Sequence, residues 1–343
     1  MKAIAKTSKA YGAELIEAPI PKPGPREVLL KIKATAICGS DIHAYHSVPG
    51  MLNMMKMPVI LGHETCGEVV ETGSAVTSLK KGDLVSVEPH LFCGACYYCQ
   101  NDAALNCANL ELFGLTVDGA FAEYAKAPEH CCWKHDKSVS GEMGALFEPM
   151  GVGMHGVMAG TINGKSVAVF GAGPIGLFAM AAASAFGASK LIAVEIAPKR
   201  LAMVDKIAPG IIKINPKEKD PVKAIQDATD GLGVDVAVEL TGNPDALRQA
   251  LKSLRREGRI SIVGVQPGPL EIDVQRDIVL KEATVRGVFG REVWRTWWQV
   301  RTMLNTGKFD PMMVVTHRFP LTDFSKAVDL AASGQAGKIL VIP

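Results

Sequence analysis

Hydrophobic and polar positions follow two different patterns along the chain, and the change falls near residue 150. Before it, short β-branched runs such as EVLLKIKATAI, VILGHETCGEVVETG and DLVSVEPH are broken by Gly and Pro, the pattern of a small all-β unit. After it, near-continuous apolar runs alternate with helical stretches. SVAVFGAG reads as a strand and Pro174–Gly187 as a helix, then KLIAVE as a strand and Pro198–Ala208 as a helix. IIKIN, VDVAVEL, RISIVGV and ATVRGVF supply four more strands, with helices over Val222–Ala228 and Pro244–Arg256 between some of them.

Apolar strands separated by helices predict a parallel sheet covered on both faces, and six of them fit a doubly wound nucleotide-binding sheet. The last stretch, from Arg291, carries WRTWWQVRTMLNTG and THRFPLTDF and ends in the strand-like KILVIP. That strand is expected to rejoin the first unit. The fold class is therefore α/β, an all-β unit plus a parallel-sheet domain.

Composition narrows the function. The 343 residues suffice for two domains, and 48% apolar with 21% charged residues is ordinary for a soluble globular chain. A formal net charge of +2 gives no electrostatic case for nucleic acid or an acidic membrane surface. The N-terminus, MKAIAKTSKAYGAELIEAPIPKPGP, has no continuous apolar core of a secretory signal, and no stretch approaches the ~18–20 apolar residues of a spanning helix. A reducing cytoplasm is expected, and there clustered cysteines are more often metal ligands than disulfides.

VAVFGAGPIG sets Gly171, Gly173 and Gly176 at GxGxxG spacing between a strand and a helix. The first glycine permits the tight turn, the second lets a pyrophosphate approach the backbone, and the third lets helix and strand pack closely. Alone this is a weak signal. Glu195, ending the next strand about 20 residues on, strengthens it, because a carboxylate there can bond both ribose hydroxyls of NAD and repel a 2′-phosphate. Ile196 follows where a cation would suit NADP, and Arg200 is placed to flank the adenine. NAD is the expected cofactor.

Four of the eight cysteines, Cys93, Cys96, Cys99 and Cys107, fall in C-x2-C-x2-C-x7-C. Disulfides would need an oxidising compartment. An iron–sulfur cluster fits the first three, but bacterial ferredoxin spacing places the fourth after three residues and before a proline. A closed tetrahedral zinc site takes all four thiolates and leaves no open position, so it staples a polar loop. The reaction then belongs elsewhere.

A dispersed set is the better candidate. ICGSDIH holds Cys38, Ser40, Asp41 and His43; LGHETCGEVV holds His63 and Glu64; FEPMG holds Glu148. A catalytic zinc takes about three protein ligands and keeps one position open. Cys38 and His63 suit two of them, with Glu64 or Glu148 as the third or as an exchanging partner, and Asp41 could orient the His63 ring. Singly, each has a plainer reading: Cys38 as a small buried hydrophobe, His43 as a surface residue.

With these residues assembled, the whole chain resembles the zinc-dependent medium-chain dehydrogenases, whose markers are GHExxGxV (Gly62 to Val69), the four-cysteine lobe and the later GxGxxG. Within them it is most similar to the L-threonine 3-dehydrogenase branch, on TAICGSDIH, GAFAEYA, GREVWRTWWQVRTMLNTGKFDPMMVVTHRF and SGQAGKILV. The resemblance implies a GroES-like catalytic domain from residues 1–152 and 290–343, with a Rossmann NAD-binding domain at 153–289. It implies that Cys38, His63 and Glu64 bind a catalytic zinc and that Cys93, Cys96, Cys99 and Cys107 bind a structural one. Ser40 and His43 would relay the alcohol proton, Glu148 would assist near the metal, and His90 would lie near the substrate. Gly171, Gly173, Ile175, Gly176, Glu195 and Arg200 would contact NAD, with the backbone at Val263, Gly264, Val265, Val288 and Phe289.

The implied reaction is oxidation of a secondary alcohol with hydride transfer to NAD, L-threonine becoming 2-amino-3-ketobutyrate, in a cytoplasmic homo-tetramer. Three stretches depart from the branch: Val152 in EPMGVGMHG where an asparagine is usual, Cys66 beside the zinc motif, and the methionine-rich SVPGMLNMMKM. Neutral drift and repacking at a subunit interface both account for them. The departures keep a vicinal diol or polyol, such as 2,3-butanediol or a sugar alcohol, as the alternative substrate. From another class, a non-catalytic NAD-binding redox sensor would require gaps among Cys38, His63 and Glu148, and none is missing.

Overall fold

The strand Glu27–Ala36 alternates buried and exposed positions and turns Val28, Leu30 and Ile32 into a core with Val69, Val85, Val87 and Phe113. In the computed structural model, which describes residues 1–208 and 210–343, this strand is the centre of a seven-stranded sheet. The order is Cys132–Lys134, Leu84–Val87, Glu64–Thr72, Glu27–Ala36, Lys338–Ile342, Val315–Pro320, with Tyr124–Pro128 also paired to Glu27–Ala36. The C-terminal strand does return to the first unit, its Leu340 opposite Ala36.

Register decides what meets at one end of this sheet. Ala36 lies opposite Glu64 on one side and Leu340 on the other. Cys38 follows two residues after Ala36, and Lys338 precedes Leu340 by two. Three chain segments far apart in sequence thus deliver polar side chains to the same sheet end.

The second unit is a six-stranded parallel sheet, edge to edge Ile212–Ile214, Lys190–Val194, Ser166–Phe170, Val234–Glu239, Leu254–Ile262 and Thr284–Gly287. In chain order this is third, second, first, fourth, fifth, sixth, the doubly wound arrangement that puts a ligand site at the carboxyl ends of the first strands. Its core joins Phe170, Ile192, Val194, Ala237, Leu251 and Ile260. The alanine-rich helix Pro174–Ala185 is buried from Gly176 to Ala183, which small side chains permit against the sheet.

The two compact units are Met1–Glu148 with Val315–Pro343, and Pro149–Val314. Residues 149–152 and 290–314, expected with the first unit, cluster with the second. For the longer stretch the reason is the helix Arg295–Asn305, which buries Trp297, Val300 and Met303 and contacts the helix Pro174–Ala185. The helix expected over Pro244–Arg256 ends at Ser253, because Leu254 enters the sheet opposite Val234 and its side chain joins the core. No helix among the described residues is long and apolar enough to cross a membrane.

Candidate active site and metal centres

Cys38 is the N-cap of the helix Gly39–Tyr45. Its backbone N–H donates to Asp41 Oδ2 at 2.8 Å, which fixes the turn out of the sheet. His63 and Glu64 arrive where the strand Glu64–Thr72 begins, and one ligand atom from each of Cys38, His63 and Glu64 lies within 4.8 Å of the others.

His63 Nδ1 faces Asp41 Oδ1 at 3.6 Å, and Ser40 Oγ lies 3.5 Å from His63 Nε2. With Nδ1 turned to the carboxylate, Nε2 is the ring atom left for a metal. The Lys338 ammonium donates to Glu64 Oε1 at 2.7 Å and lies 2.5 Å from the buried Glu64 Oε2. Burial pushes the Cys38 thiol and the Glu64 and Asp41 carboxyls up, against the pull of Lys338 and, for both carboxyls, of His63. A half-buried thiol beside a buried imidazole and carboxylate makes a donor set that suits a dication, and zinc accepts this mixture of sulfur, nitrogen and oxygen.

The structure groups Glu64, and not Glu148, with Cys38 and His63. Glu148 is 5% exposed and acts on Cys38, Asp41 and Glu64 through its charge. His43 sits three residues beyond Ser40 on the same helix and is exposed. His90 is buried, and its Nδ1–H and backbone N–H both donate to Glu88 Oε1, at 3.0 and 3.1 Å. Cys66 is not part of the cluster. It lies fully buried under Gly144, where an added Cβ would come within 2.4 Å of its sulfur.

The second cluster joins Cys93, Cys96, Cys99 and Cys107, with Sγ–Sγ separations of 3.5 Å for 96 to 99, 3.8 Å for 96 to 107 and 4.0 Å for 93 to 99. Backbone N–H groups of Ala95 and Cys96 pull the Cys93 thiol down to about 6, while burial and the neighbouring thiols push Cys99 up to about 12. Four sulfurs this close cannot all ionise without a cation among them. Four thiolates complete a tetrahedral zinc site with no position open to substrate.

In the second unit Gly171 takes φ +100°, and a Cβ on Gly176 would stand 1.9 Å from the Gly171 carbonyl oxygen. Gly173 opens the helix Pro174–Ala185, and a Cβ there would meet nothing nearer than Arg200 Nη1 at 3.9 Å. The turn is packed tight below and left open where a phosphate would approach. Ile175 is half-buried in the same first turn. Glu195 Oε2 accepts from Ala172 N–H at 2.8 Å and Oε1 from Ala197 N–H at 2.9 Å, so the carboxylate is held against the glycine turn with lone pairs to spare. Arg200 Nη1 lies 4.0 Å from Glu195 Oε2.

Val263 and Gly264 donate their N–H groups to the Glu239 carbonyl, and Val288 donates to the Ile262 carbonyl at 2.9 Å. Val265 and Phe289 are largely exposed at the same carboxyl ends of the strands. Two polar residues here escaped the sequence reading. Glu239 is fully buried, its Oε1 taking the N–H groups of Thr241 and Gly242 at 2.6 and 3.0 Å and the Thr241 hydroxyl at 2.5 Å. A carboxylate closing the apolar run VDVAVEL was the available signal. Lys338, a lone cation opening the apolar KILVIP, was the other.

Comparison with known proteins agrees with this geometry. Residues 24–137 match the alcohol dehydrogenase GroES-like domain, and residues 174–306 match the zinc-binding dehydrogenase family. The chain is 44% identical to the L-threonine 3-dehydrogenase of Pyrococcus abyssi, covering 99% of this chain and 98% of that one. Its fold is similar to that of a zinc-binding dehydrogenase of Sinorhizobium meliloti solved with NADP bound (TM-score 0.92, 30% identity, 100% and 99% of the two chains). It is also similar to 2R,3R-butanediol dehydrogenase of Bacillus subtilis (TM-score 0.89, 35% identity, 100% and 99%). Two zinc-type donor sets, a dinucleotide turn and full-length identity above 40% make this chain a member of the zinc-binding medium-chain alcohol dehydrogenases, an enzyme built for zinc and a nicotinamide dinucleotide.

Proposed function

We propose that the protein oxidises L-threonine at its Cβ hydroxyl to 2-amino-3-ketobutyrate and passes the hydride to NAD. The observation that carries the reading is the Cys38, His63 and Glu64 cluster in a chain whose full-length relative in Pyrococcus abyssi is an L-threonine 3-dehydrogenase.

Cys38, His63 and Glu64 would hold a zinc ion, which when bound supplies the Lewis acidity that favours ionisation of a substrate hydroxyl. Asp41 keeps the proton of His63 on Nδ1 and so presents Nε2 to the metal. Ser40, beside Nε2, would accept the hydroxyl proton as it passes its own to the exposed His43 on the same helix, which would release it to solvent. NAD, when bound, would serve as the acceptor of the hydride, which leaves Cβ with its bonding pair. One two-electron oxidation therefore yields one ketone, one NADH and one proton. Glu148 contributes negative charge next to the cluster, and His90, held by Glu88, offers Nε2 to the substrate.

Gly171, Gly173, Ile175 and Gly176 would receive the pyrophosphate at the helix N-terminus, and Arg200 would flank the adenine. The strand ends at Val263, Gly264, Val265, Val288 and Phe289 would receive the nicotinamide. Glu195 favours NAD over NADP, because a 2′-phosphate would meet its buried negative charge. We place the activity in a cytoplasmic homo-tetramer with no nucleic-acid or membrane partner, in keeping with a net charge of +2.

The test is NADH production by the zinc-replete protein with L-threonine, 2,3-butanediol and several polyols at equal concentration. Preference for L-threonine is the expected result. Preference for a diol or polyol would overturn the substrate and leave the zinc and NAD chemistry in place.

A further inference from the structure

Cys66 stands outside the metal cluster, but it belongs to a second buried polar cluster in the first unit. It lies opposite Ser86 in the adjacent strand, and Trp133 of the next strand lies opposite Ser86 on the other side. His135 follows two residues after Trp133. Cys66 and Ser86 are fully buried and His135 is 8% exposed. The Ser86 hydroxyl donates to the Gly144 carbonyl at 2.7 Å, and His135 Nε2 lies 2.6 Å from Ser86 Oγ. A serine has one O–H, and here it is committed to Gly144. His135 therefore carries its proton on Nε2 and donates it to Ser86. Burial pushes His135 down to about 3, so the ring is neutral.

This cluster grips the segment that delivers Glu148. The helix Gly141–Ala145 packs over the strands Glu27–Ala36, Glu64–Thr72 and Leu84–Val87. It sits low on them because residue 144 has no side chain: a Cβ there would stand 2.4 Å from Cys66 Sγ and 3.2 Å from His135 Nε2. The His135 ring also meets the Phe147 ring edge-on, with centroids 4.5 Å apart. Gly144 and Phe147 are the fourth and the first residue before Glu148. Cys66 and Glu64, two apart in one strand, share a face of the sheet. Glu148 is buried, and its charge acts on Cys38, Asp41 and Glu64. We infer that Ser86 and His135 are positioning residues for Glu148. They fix the height of the helix Gly141–Ala145 above the sheet, and so the place where the Glu148 charge meets the metal ligands. The inference rests on the Cys38, His63 and Glu64 cluster being the reactive metal site, and not on the choice of substrate. Charge interactions in a dry site fall steeply with distance, so a displacement of about 1 Å is enough to matter.

Positioning and plain packing part company in a double-mutant cycle. Ser86→Ala removes the donor to Gly144 and the acceptor for His135 at once. Its kcat should fall by about tenfold, on whichever alcohol the protein turns over, with Kd for NADH unchanged. In a Glu148→Gln background the same substitution should cost little more, because the charge through which it acts is already gone. The visible bands of cobalt at the site that Cys38→Ser empties should shift in Ser86→Ala and in His135→Leu. His135→Gln, which keeps an N–H donor, should hold the wild-type spectrum. Gly144→Ala gives an independent reading. Alanine is the better helix former, yet its Cβ must move away from Cys66 Sγ. Its kcat should fall as in Ser86→Ala, and adding Cys66→Ala should recover part of the loss.

An equal loss of kcat from Ser86→Ala with and without Glu148→Gln overturns the proposal. So does a fall in Tm with kcat and the cobalt spectrum unchanged. Gly144→Ala decides the matter in the same way if Ser86→Ala does not fold. Failure of both to fold also overturns it, making the cluster a requirement of folding. A wild-type protein that retains one zinc per chain removes the metal site and the positioning together. Wild-type kcat in Glu148→Gln removes the role of Glu148, whereas an impaired Glu148→Gln beside an unaltered Ser86→Ala removes the positioning alone.

Discussion

Asp41 Oδ1 stands 3.6 Å from His63 Nδ1, and neither atom has a hydrogen-bond partner among the described residues. Both are buried, Asp41 completely. Unpartnered buried polar atoms are costly, so their opposition has meaning: the pair is poised to close with Nδ1–H donating to the carboxylate. The other carboxylate oxygen is anchored on the Cys38 N–H. Asp41 thus sets the tautomer of one metal ligand and the backbone of another.

Asp41→Asn is therefore expected to lower affinity for the catalytic zinc by about 10–100-fold while leaving the four-cysteine site filled. The check is metal content after dialysis against a graded chelator series. Loss of both zincs in parallel would show that the substitution has unfolded the first unit instead.

The two metal sites should separate cleanly under single substitutions. Cys38→Ser is expected to abolish turnover with NADH binding and Tm near the wild-type values. Cys99→Ser should cut Tm by more than about 5 °C, because a closed site that loses a ligand releases the loop it staples. Retained turnover in Cys38→Ser, or lost turnover at unchanged Tm in Cys99→Ser, would reverse the division of roles.

Two glycines of one motif predict opposite phenotypes. Gly176→Ala drives a Cβ to 1.9 Å from the Gly171 carbonyl oxygen, so strand and helix must separate. A cost of about 1–3 kcal/mol is expected in thermal or urea unfolding of the protein without cofactor. Gly173→Ala meets only the far end of Arg200 at 3.9 Å and should fold normally. Its methyl group instead stands where pyrophosphate would approach, so Kd for NADH should rise by about tenfold, read from fluorescence titration.

Acid sensitivity has an identifiable source in the second unit. Asp235 accepts from Ser166 N–H at 2.9 Å and Ser166 O–H at 2.7 Å, and pairs with Arg255 at 2.7 Å. Burial raises its carboxyl, but these donors outweigh it and hold it down from 3.8 to about 2. A depressed carboxylate stabilises fully above its unfolded value and loses that contribution as pH falls from about 4 towards 2. Asp235→Asn should therefore cost about 1–2 kcal/mol at pH 7. The gap to wild type in urea midpoints should narrow steadily below pH 4. A gap independent of pH would mean that the hydrogen bonds to Ser166, and not the charge, carry the effect.

What the sequence disclosed depended on how local each feature is. The four cysteines and the GxGxxG turn are short-range patterns, and the structure assembles both as spaced. The Cys38, His63 and Glu64 cluster needed the family resemblance, because its members converge through strand register between Glu27–Ala36 and Glu64–Thr72. Lys338 was invisible for the same reason on a larger scale, its partner Glu64 lying 274 residues away. WRTWWQVRTMLNTG carries no assigned element in the sequence reading, and nothing in those residues says which of two cores the helix Arg295–Asn305 will join. Its buried Trp297 and Met303 place it with the second unit.

Glu239 carries the last prediction. Its Oε1 gathers three donors from Thr241 and Gly242, and its Oε2 accepts from Gln266 Nε2 at 3.3 Å. Its backbone carbonyl takes the N–H groups of Val263 and Gly264. One residue thus clamps the loops after two adjacent strands, at the carboxyl end of a doubly wound sheet where a dinucleotide binds. Burial pushes the Glu239 carboxyl up and the donors from Thr241 and Gly242 pull it back. A carboxylate can satisfy every one of these donors, whereas an amide must turn an NH2 towards at least one of them. Glu239→Gln is accordingly expected to raise Kd for NADH by about tenfold, with a smaller loss in kcat at saturating cofactor. The sheet should survive, since the strand pairing of Val234–Glu239 does not use the carboxylate. The decisive comparison is NADH affinity against Tm: a Tm drop with unchanged affinity would make Glu239 a core residue and free the two loops from its control.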